Sequence, residues 1–545
     1  MLTAPRDFRG AFRTDDEACA VYAEAAGIGR IIPRAVAVPV DADDAATLVR
    51  WARDTRTPLV PRGSGSSMAS GAIGTGVIVD LSRLNAIGDV DRERRRIRVG
   101  PGALRGDIER AARAVGLRFP PDPSSGAFCT IGGMISTNAA GAHTLRFGAT
   151  RAWVHSVDCI FDDGSRATLA RGIEPPRGIP ALDRVRTIAA ELRTREAADA
   201  TTHAGVRKDS SGYGVRAFAE TGDVIDLVIG SEGTLALIVG AELVLADAAP
   251  ATSSLLGAFP TLESAVVGAT RARDAGAVAC ELLDRTFLDV AGRGAALPGI
   301  PAGTEGVLLA EVEGESERDA ADAARALADA FRSAGASAVV LALTPDDEHA
   351  LWELRHAASP ILSTLGPSLT SMQFVEDSAV PPSALPAYVR GVREALTRYG
   401  IRGVIFGHAG DSHVHVNPLI DVEAPGWRDT VRALLDDVAQ LVAQLGGTLD
   451  GEHGDGRMRT PLLPRVWSPE AMRLFRVVKD AFDPEGIFNP GVKIPIPDEQ
   501  PIGDVKYDPA LAPLPPRARA ALDAVVRDRA YQQFRLALLD ASPAA

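Results

Sequence analysis

The chain predicts an α+β protein of two or three domains, and three observations carry this. Its 545 residues exceed what one hydrophobic core holds. Residues 35–250 alternate short apolar strand runs with helical runs, among many glycines. Near residue 250 that alternation gives way to helices set around a long apolar strand.

In the first region, "TPLVPRGSG" and "GVIVDLSRL" are apolar runs bounded by turn residues, as buried strands are. "DADDAATLVRWARD" (41–54) has the acidic start and apolar spacing of a helix between strands. In the second, "LESAVVGATRARDAG" and "ESERDAADAARALADAFRSAG" read as helices flanking the strand "EGVLLAEVEG". A further helix is predicted over about 427–445, where Val431, Leu434, Leu435, Val438, Leu441, Val442 and Leu445 repeat at helical spacing and Gly446-Gly447 end it. After 495 a proline-rich tail reads as a surface wrap or a link to another body. No internal repeat is visible.

Composition narrows the function. At 46% hydrophobic and 24% charged the chain is ordinary globular protein. Its net charge of −13 leaves no basic tract to neutralise phosphates, which argues against nucleic-acid binding. The start, "MLTAPRDFRG", lacks an apolar signal core. The greasiest stretch, 224–246, is broken by Asp226, Glu232 and Glu242 and cannot span a bilayer. Cys19, Cys129, Cys159 and Cys280 are far apart, so neither a thiolate zinc site nor an iron–sulfur cluster is expected within this chain. The reading is cytoplasmic, with a peripheral place at the inner membrane and homo-oligomerisation left open.

Three glycine-rich segments stand out. "PRGSGSSMASG" (61–71) follows a strand but fails the dinucleotide and P-loop fingerprints, with Met68 where a third glycine belongs. Its small residues could turn backbone N–H groups onto a pyrophosphate, or form a flexible surface loop. The segment 120–154 sets Gly126, Gly132, Gly133, Gly141 and Gly148 among Ser, Thr and Asn, which lets backbone approach a large flat ligand. The third, 208–245, puts Gly230 and Gly233 inside an apolar strand pattern, the mark of a bulge or a close ligand.

Histidines form the second signal. "GHAGDSHVHVN" (407–417) holds three of only nine, and His453 follows in "LDGEHGDGRMRTP". With Asp411-Ser412 as a two-residue turn, His408 lies opposite His415, while His413, His415 and Asn417 share one face. Opposed imidazoles make half a metal site, or a polar hairpin face with no ligand.

In this order and spacing the three glycine segments resemble the FAD-binding domain of the vanillyl-alcohol oxidase / para-cresol methylhydroxylase (VAO/PCMH) flavoproteins. "GHAGDSHVHVN", "GEHGDGRMR" and "FDPEGIFNPG" narrow the resemblance, over about 34–493, to the FAD-linked D-2-hydroxyacid dehydrogenases, the group of the D-lactate dehydrogenases and the flavin chain of glycolate oxidase. The resemblance implies an α+β fold: a two-subdomain FAD-binding domain and an antiparallel-sheet α+β substrate (cap) domain. The implied boundaries are an N-terminal segment 1–33, the FAD domain 34–250, the cap domain with its metal site 251–480, a return 481–495 and the tail 496–545.

It also implies residues. FAD would be held by Arg62, Gly63, Ser64, Gly65, Ser66 and Ser67, by Pro121, Asp122, Thr130, Gly132, Gly133, Ser136, Asn138 and Gly141, and by Glu232, Gly233, Ile238 and Asn489. Ser66 and Ser67 stand where some members carry a tethering histidine, so the FAD is expected to be non-covalent. His408, His415 and Glu452 would bind a divalent metal, zinc or manganese, with His413 replacing the family's usual Asn. The cation would hold the carboxylate and α-hydroxyl of the substrate, and Arg355 would clamp its carboxylate. His453 would take the hydroxyl proton as hydride passes to the flavin N5.

D-lactate leads the expected substrates. Phe374, Val375 and Glu376 stand where dicarboxylate-oxidising relatives have a lysine, although Arg457 and Arg459 could substitute. Electrons would pass to a quinone, a cytochrome or an iron–sulfur protein. Two alternatives are weaker: an alkyl-dihydroxyacetone-phosphate synthase-like transferase, whose histidine run is replaced here by Gly451-Glu452-His453, and an FAD-binding subunit of a glycolate oxidase-like complex.

Overall fold

The computed structural model describes residues 2–291, 299–356 and 369–541; the last four residues of the tail lie outside the described residues. Three main sheets organise it, and the site lies where they meet.

The first sheet runs Ala11–Arg13, Ala35–Val38, Val77–Asp80, Leu59–Arg62, its last three strands parallel. Parallel strands are buried on both faces, which explains their unbroken apolar reading. The helix Ala42–Thr55 crosses between two of them, capped by Asp41, whose side chain accepts from the Asp44 amide, and closed by left-handed Arg56. Phe488 pairs in parallel with Leu59 at the open edge, so the return segment joins this sheet.

The second sheet is antiparallel, in the order Ile87–Asp91, Arg96–Val99, Leu237–Val244, Val154–Ile160, Arg166–Ala170. The strand expected around Gly230 and Gly233 begins only at Leu237. Before it, Ile225–Val228 is a short helix, and Gly230, Glu232 and Gly233 all have positive φ, a turn conformation that no strand tolerates.

The third sheet has seven antiparallel strands: Ala338–Ala342, Ala251–Phe259, Gly306–Gly314, Ala279–Asp284, Arg402–Gly407, His415–Asp421, Leu369–Ser371. Helices Leu262–Asp274, Glu317–Ser333, Leu385–Arg398 and Trp427–Gln444 build its larger core, with Phe331, Tyr388, Val392, Val431 and Leu434 fully buried. Alternation sorts the strands, sending Leu308 and Ala310 to that core and Val307, Val404 and Phe406 to a smaller one. Phe331 packs edge-on to Phe259 at 5.7 Å, and a side chain at Gly257 would strike its ring.

The proline-rich stretch 496–515 carries no helix and bridges Gly29 through Val505, and the tail beyond it is helical. Helices Pro516–Asp528 and Arg535–Ala541 pack Ala518, Leu522, Val525 and Leu539 against Val21, Tyr22, Val36 and Ile78 of the first sheet's neighbourhood. No helix among the described residues is long and apolar enough to cross a membrane.

Candidate functional site

A narrow cleft opens between the first two sheets. All of 62–67 line it, with Thr130, Gly132, Gly133 and Ser136 on one wall and Glu232, Gly233 and Ile238 on another. Pro101 and Ala236 also line it, and no local motif marks them. The walls are close. A side chain at Gly63 would strike the Thr130 hydroxyl, and Gly65 has φ +77° with the Arg62 guanidinium behind it. That guanidinium faces away from open solvent and donates to the carbonyls of Tyr22, Glu24 and Ala72.

Five of the expected cofactor residues do not line this cleft. The Pro121 carbonyl accepts from Arg105, and Asp122 receives His143. Asn138 is a left-handed helix cap whose side chain accepts the Arg151 amide, and Gly141 gives its carbonyl to Lys208. Asn489 acts behind the wall: its amide donates to the carbonyls of Gly71 and Glu232 and its oxygen accepts from Arg457.

The histidine cluster lies on the cap side. The register pairs Phe406 with His415 and Ile405 with Val416. The turn is a 3₁₀ turn over Ala409–Asp411 followed by left-handed Ser412, not the two-residue hairpin expected. His408 therefore does not sit opposite His415 in the ladder, yet the rings meet at 5.3 Å, because the longer turn folds His408 back over the sheet end.

Four side chains converge: ligand atoms of His408, His413, His415 and Glu452 lie within 4.8 Å of one another. Glu452 Oε1 is the meeting point, 3.0 Å from His408 Nε2, 3.5 Å from His415 Nε2 and 3.8 Å from His453 Nε2. Each ring is oriented through its other nitrogen: His408 Nδ1 is 2.6 Å from Glu281 Oε1, His415 Nδ1 2.9 Å from the Glu376 carbonyl and His453 Nδ1 2.7 Å from Glu376 Oε2. Outer carboxylates that fix tautomer and aim are how metal-binding imidazoles are held. Buried His413 gives Nε2 to Asp377 at 2.9 Å, while its Nδ1 has no hydrogen-bond partner among the described residues.

Charge is arranged to match. Burial pushes Glu452 up, but Lys208, at 2.8 Å from Oε2, and His408 outweigh it and hold it well below the usual carboxylate range. Burial would strip the proton from His453, but Asp377 and Glu376 outweigh it and raise the ring to about 10. His408 is likewise raised to about 9, chiefly by Glu281 against burial. Burial wins at His413 and lowers it to about 4, so that ring is neutral. Protons held this way are what a divalent cation displaces on binding.

Arg355 donates its Nε to Glu281 at 2.8 Å and lies over the Phe406 ring, one carboxylate removed from His408. Arg459 is tied to Glu376 and to the Gly454 carbonyl, and Arg457 to Asn489 and Pro490; both are committed within the fold. Glu281, Asp377 and Lys208 escape motif reading, because the partner of each is distant in sequence.

One loop joins the two sites. Residues 452–456 carry Glu452 and His453 into the cluster, while the amides of Asp455 and Gly456 donate to Glu232 on the cleft wall. Buried Lys493 adds 2.9 Å and 3.2 Å contacts to Asp455 and Glu232. The loop therefore ties the buried histidine–carboxylate cluster to the wall of the cleft.

Comparison with known proteins agrees in scope. A model of the "FAD binding domain" matches residues 33–170, and one of "FAD linked oxidases, C-terminal domain" matches 249–492. The glycolate oxidase subunit GlcD of Bacillus subtilis is 29% identical over 464 residues, covering 84% of this chain and 88% of its own. The D-lactate dehydrogenase of Archaeoglobus fulgidus is 28% identical over 469 residues, covering 85% and 92%. A solved alkyldihydroxyacetonephosphate synthase superposes with TM-score 0.60 at 16% identity, over 88% of this chain and 82% of that one, which shows a shared fold alone.

Proposed function

This chain belongs to the family of FAD-linked oxidases, and from that premise we propose that it oxidises a D-2-hydroxy acid, D-lactate first among candidates, to the 2-oxo acid. One observation carries the reading: Glu452 Oε1 stands between His408 Nε2 and His415 Nε2, with His453 beside it, on the loop that borders the flavin cleft.

His408, His415 and Glu452 would hold the cation, and two imidazoles with one carboxylate suit zinc or manganese. When bound, FAD supplies the hydride acceptor at its N5 and the cation a Lewis acid for the carboxylate and α-hydroxyl of the substrate. Lys208 keeps Glu452 ionised and Glu281 aims His408. Neutralising Glu452 removes one of the carboxylates that raise His453, which favours the proton-accepting ring. His453 then takes the hydroxyl proton at Nε2, while Glu376 at Nδ1 stabilises the imidazolium that forms. Arg355 steadies Glu281 and offers its remaining nitrogens to the substrate carboxylate. A quinone, a cytochrome or an iron–sulfur partner would then take the electrons from bound FAD.

The test is the visible spectrum of the purified protein, taken anaerobically with D-lactate and then with other hydroxy acids. Bleaching of the flavin bands by D-lactate, absent with L-lactate and after EDTA, is the expected result. A flavin spectrum that no D-2-hydroxy acid changes would overturn the reading. The name of the Bacillus subtilis relative favours a second arrangement, in which this chain is one subunit of a larger oxidase. In that case bleaching persists but transfer to a quinone needs added partner chains.

A further inference from the structure

We propose that the C-terminal helix completes the cofactor site, with Arg535 the cation that receives the diphosphate of FAD beside the 63–67 loop. The inference rests on the FAD reading above and concerns residues beyond 492, where the family match ends.

The tail is built into place. Left-handed Arg529 turns the chain after helix Pro516–Asp528, and Tyr531 stacks on Phe128 at 5.1 Å. The Arg535 guanidinium lies over the Tyr531 ring, and the residue is 3% exposed. One nitrogen donates to the Ser64 carbonyl at 3.1 Å, on the glycine-rich loop itself. Nε and the other terminal nitrogen have no hydrogen-bond partner among the described residues. A buried guanidinium with idle donors is costly, and an anion is what satisfies it.

Arg535 borders a second cavity beside the loop. It is bordered by Gln532, Gln533 and Arg535 on the tail and shares Gly63, Ser64 and Thr130 with the flavin cleft. Its buried carboxylate, Asp80, is already engaged by the Tyr22 hydroxyl at 2.5 Å and the Ser82 amide at 2.8 Å. Beneath the same loop Arg62 is a second buried guanidinium, its Nε also without a partner among the described residues. Neither arginine forms an ion pair among the described residues. Burial, and then Arg62, push Arg535 down to about 10, as expected for a cation lacking its counter-charge. The diphosphate of FAD is a doubly charged anion that the loop amides alone would leave unneutralised.

The experiment titrates the flavin-free protein with FAD, following flavin fluorescence, for wild type, Arg535→Gln and Arg535→Lys. Thermal unfolding of each flavin-free form is measured with and without inorganic pyrophosphate. We expect Arg535→Gln to weaken FAD binding about tenfold or more, with Arg535→Lys between. Pyrophosphate should raise the melting temperature of wild type and lose that effect in Arg535→Gln. Unchanged FAD affinity in Arg535→Gln, even with a lower melting temperature, overturns the inference and makes the residue merely structural. If Arg535→Gln does not fold, Arg535→Lys and the pyrophosphate shift of wild type decide, and no shift overturns it. Wild type that takes up no FAD overturns the flavin reading itself, a result distinct from all of these.

Discussion

The Nδ1 of His453 lies 2.7 Å from Glu376 Oε2, with the far oxygen of that carboxylate locked by Arg459. This pair fixes both the aim and the proton affinity of the ring that faces Glu452. Glu376→Gln keeps the shape but removes the charge that stabilises an imidazolium. We expect kcat to fall about tenfold to a hundredfold with KM little changed. Steady-state kinetics with an artificial acceptor, at unchanged flavin content, test it; a variant with wild-type kcat removes Glu376 from the mechanism.

Glu452 is the common neighbour of three imidazoles. Glu452→Gln should leave the chain with less than about a tenth of its divalent metal, since losing a charged ligand weakens such a site at least that far. Metal analysis after gel filtration reads the outcome. Retention of a full equivalent would place the ion elsewhere.

Gly65 has φ +77°, and a methyl group there would strike the Arg62 guanidinium from the loop side. Gly65→Ala combines left-handed strain of about 1 kcal/mol with a displaced loop. The variant should fold and bind FAD at least about tenfold more weakly. Equal flavin retention after dialysis would show that the loop does not cradle the cofactor.

His143 links Asp122, at 2.5 Å, to Glu311 of the third sheet, at 2.9 Å. Burial opposes its charge, but Asp122 and then Glu311 outweigh it and hold the imidazolium well above its ordinary value. A raised folded value means that the folded state binds the extra proton. The stabilisation is therefore complete below the unfolded value of about 6.5 and is lost as pH rises through the folded one. Wild type should lose stability as pH rises above about 6.5. His143→Gln should be less stable at pH 6 and flatter above it, as denaturant titrations at several pH values would reveal.

Much of the architecture is legible in the residues alone. The helix Trp427–Gln444 follows from its apolar spacing, and the small-residue loop 62–67 lines a cleft because nothing bulky fills it. Periodic and glycine signals are local, and local signals survive without a structure. The stretch around Gly230 and Gly233 misleads because Val, Leu and Ile flank the two glycines whether the chain there forms a strand or a helix and turn; positive φ is not written in hydropathy. The hairpin register misleads because Ser412 adopts the left-handed conformation that glycine usually supplies. Glu281 and Lys208 are hidden for another reason: their partners stand 127 and 244 residues away. A compositional hint exists. The chain has only four lysines, and Lys208, Lys479 and Lys493 are buried.

Phe488 joins Leu59, and Arg535 reaches Ser64 across 471 residues. The first domain to be synthesised is thus closed by segments made long after it. Until residues near 488 and 535 arrive, the parallel sheet has an open edge, and the faces of Tyr22, Val36 and Ile78 are uncovered. Loop closure on this scale makes folding slow and exposes the nascent chain to aggregation. The last contacts of the N-terminal half therefore wait on the synthesis of a helix that follows the whole third sheet in the chain.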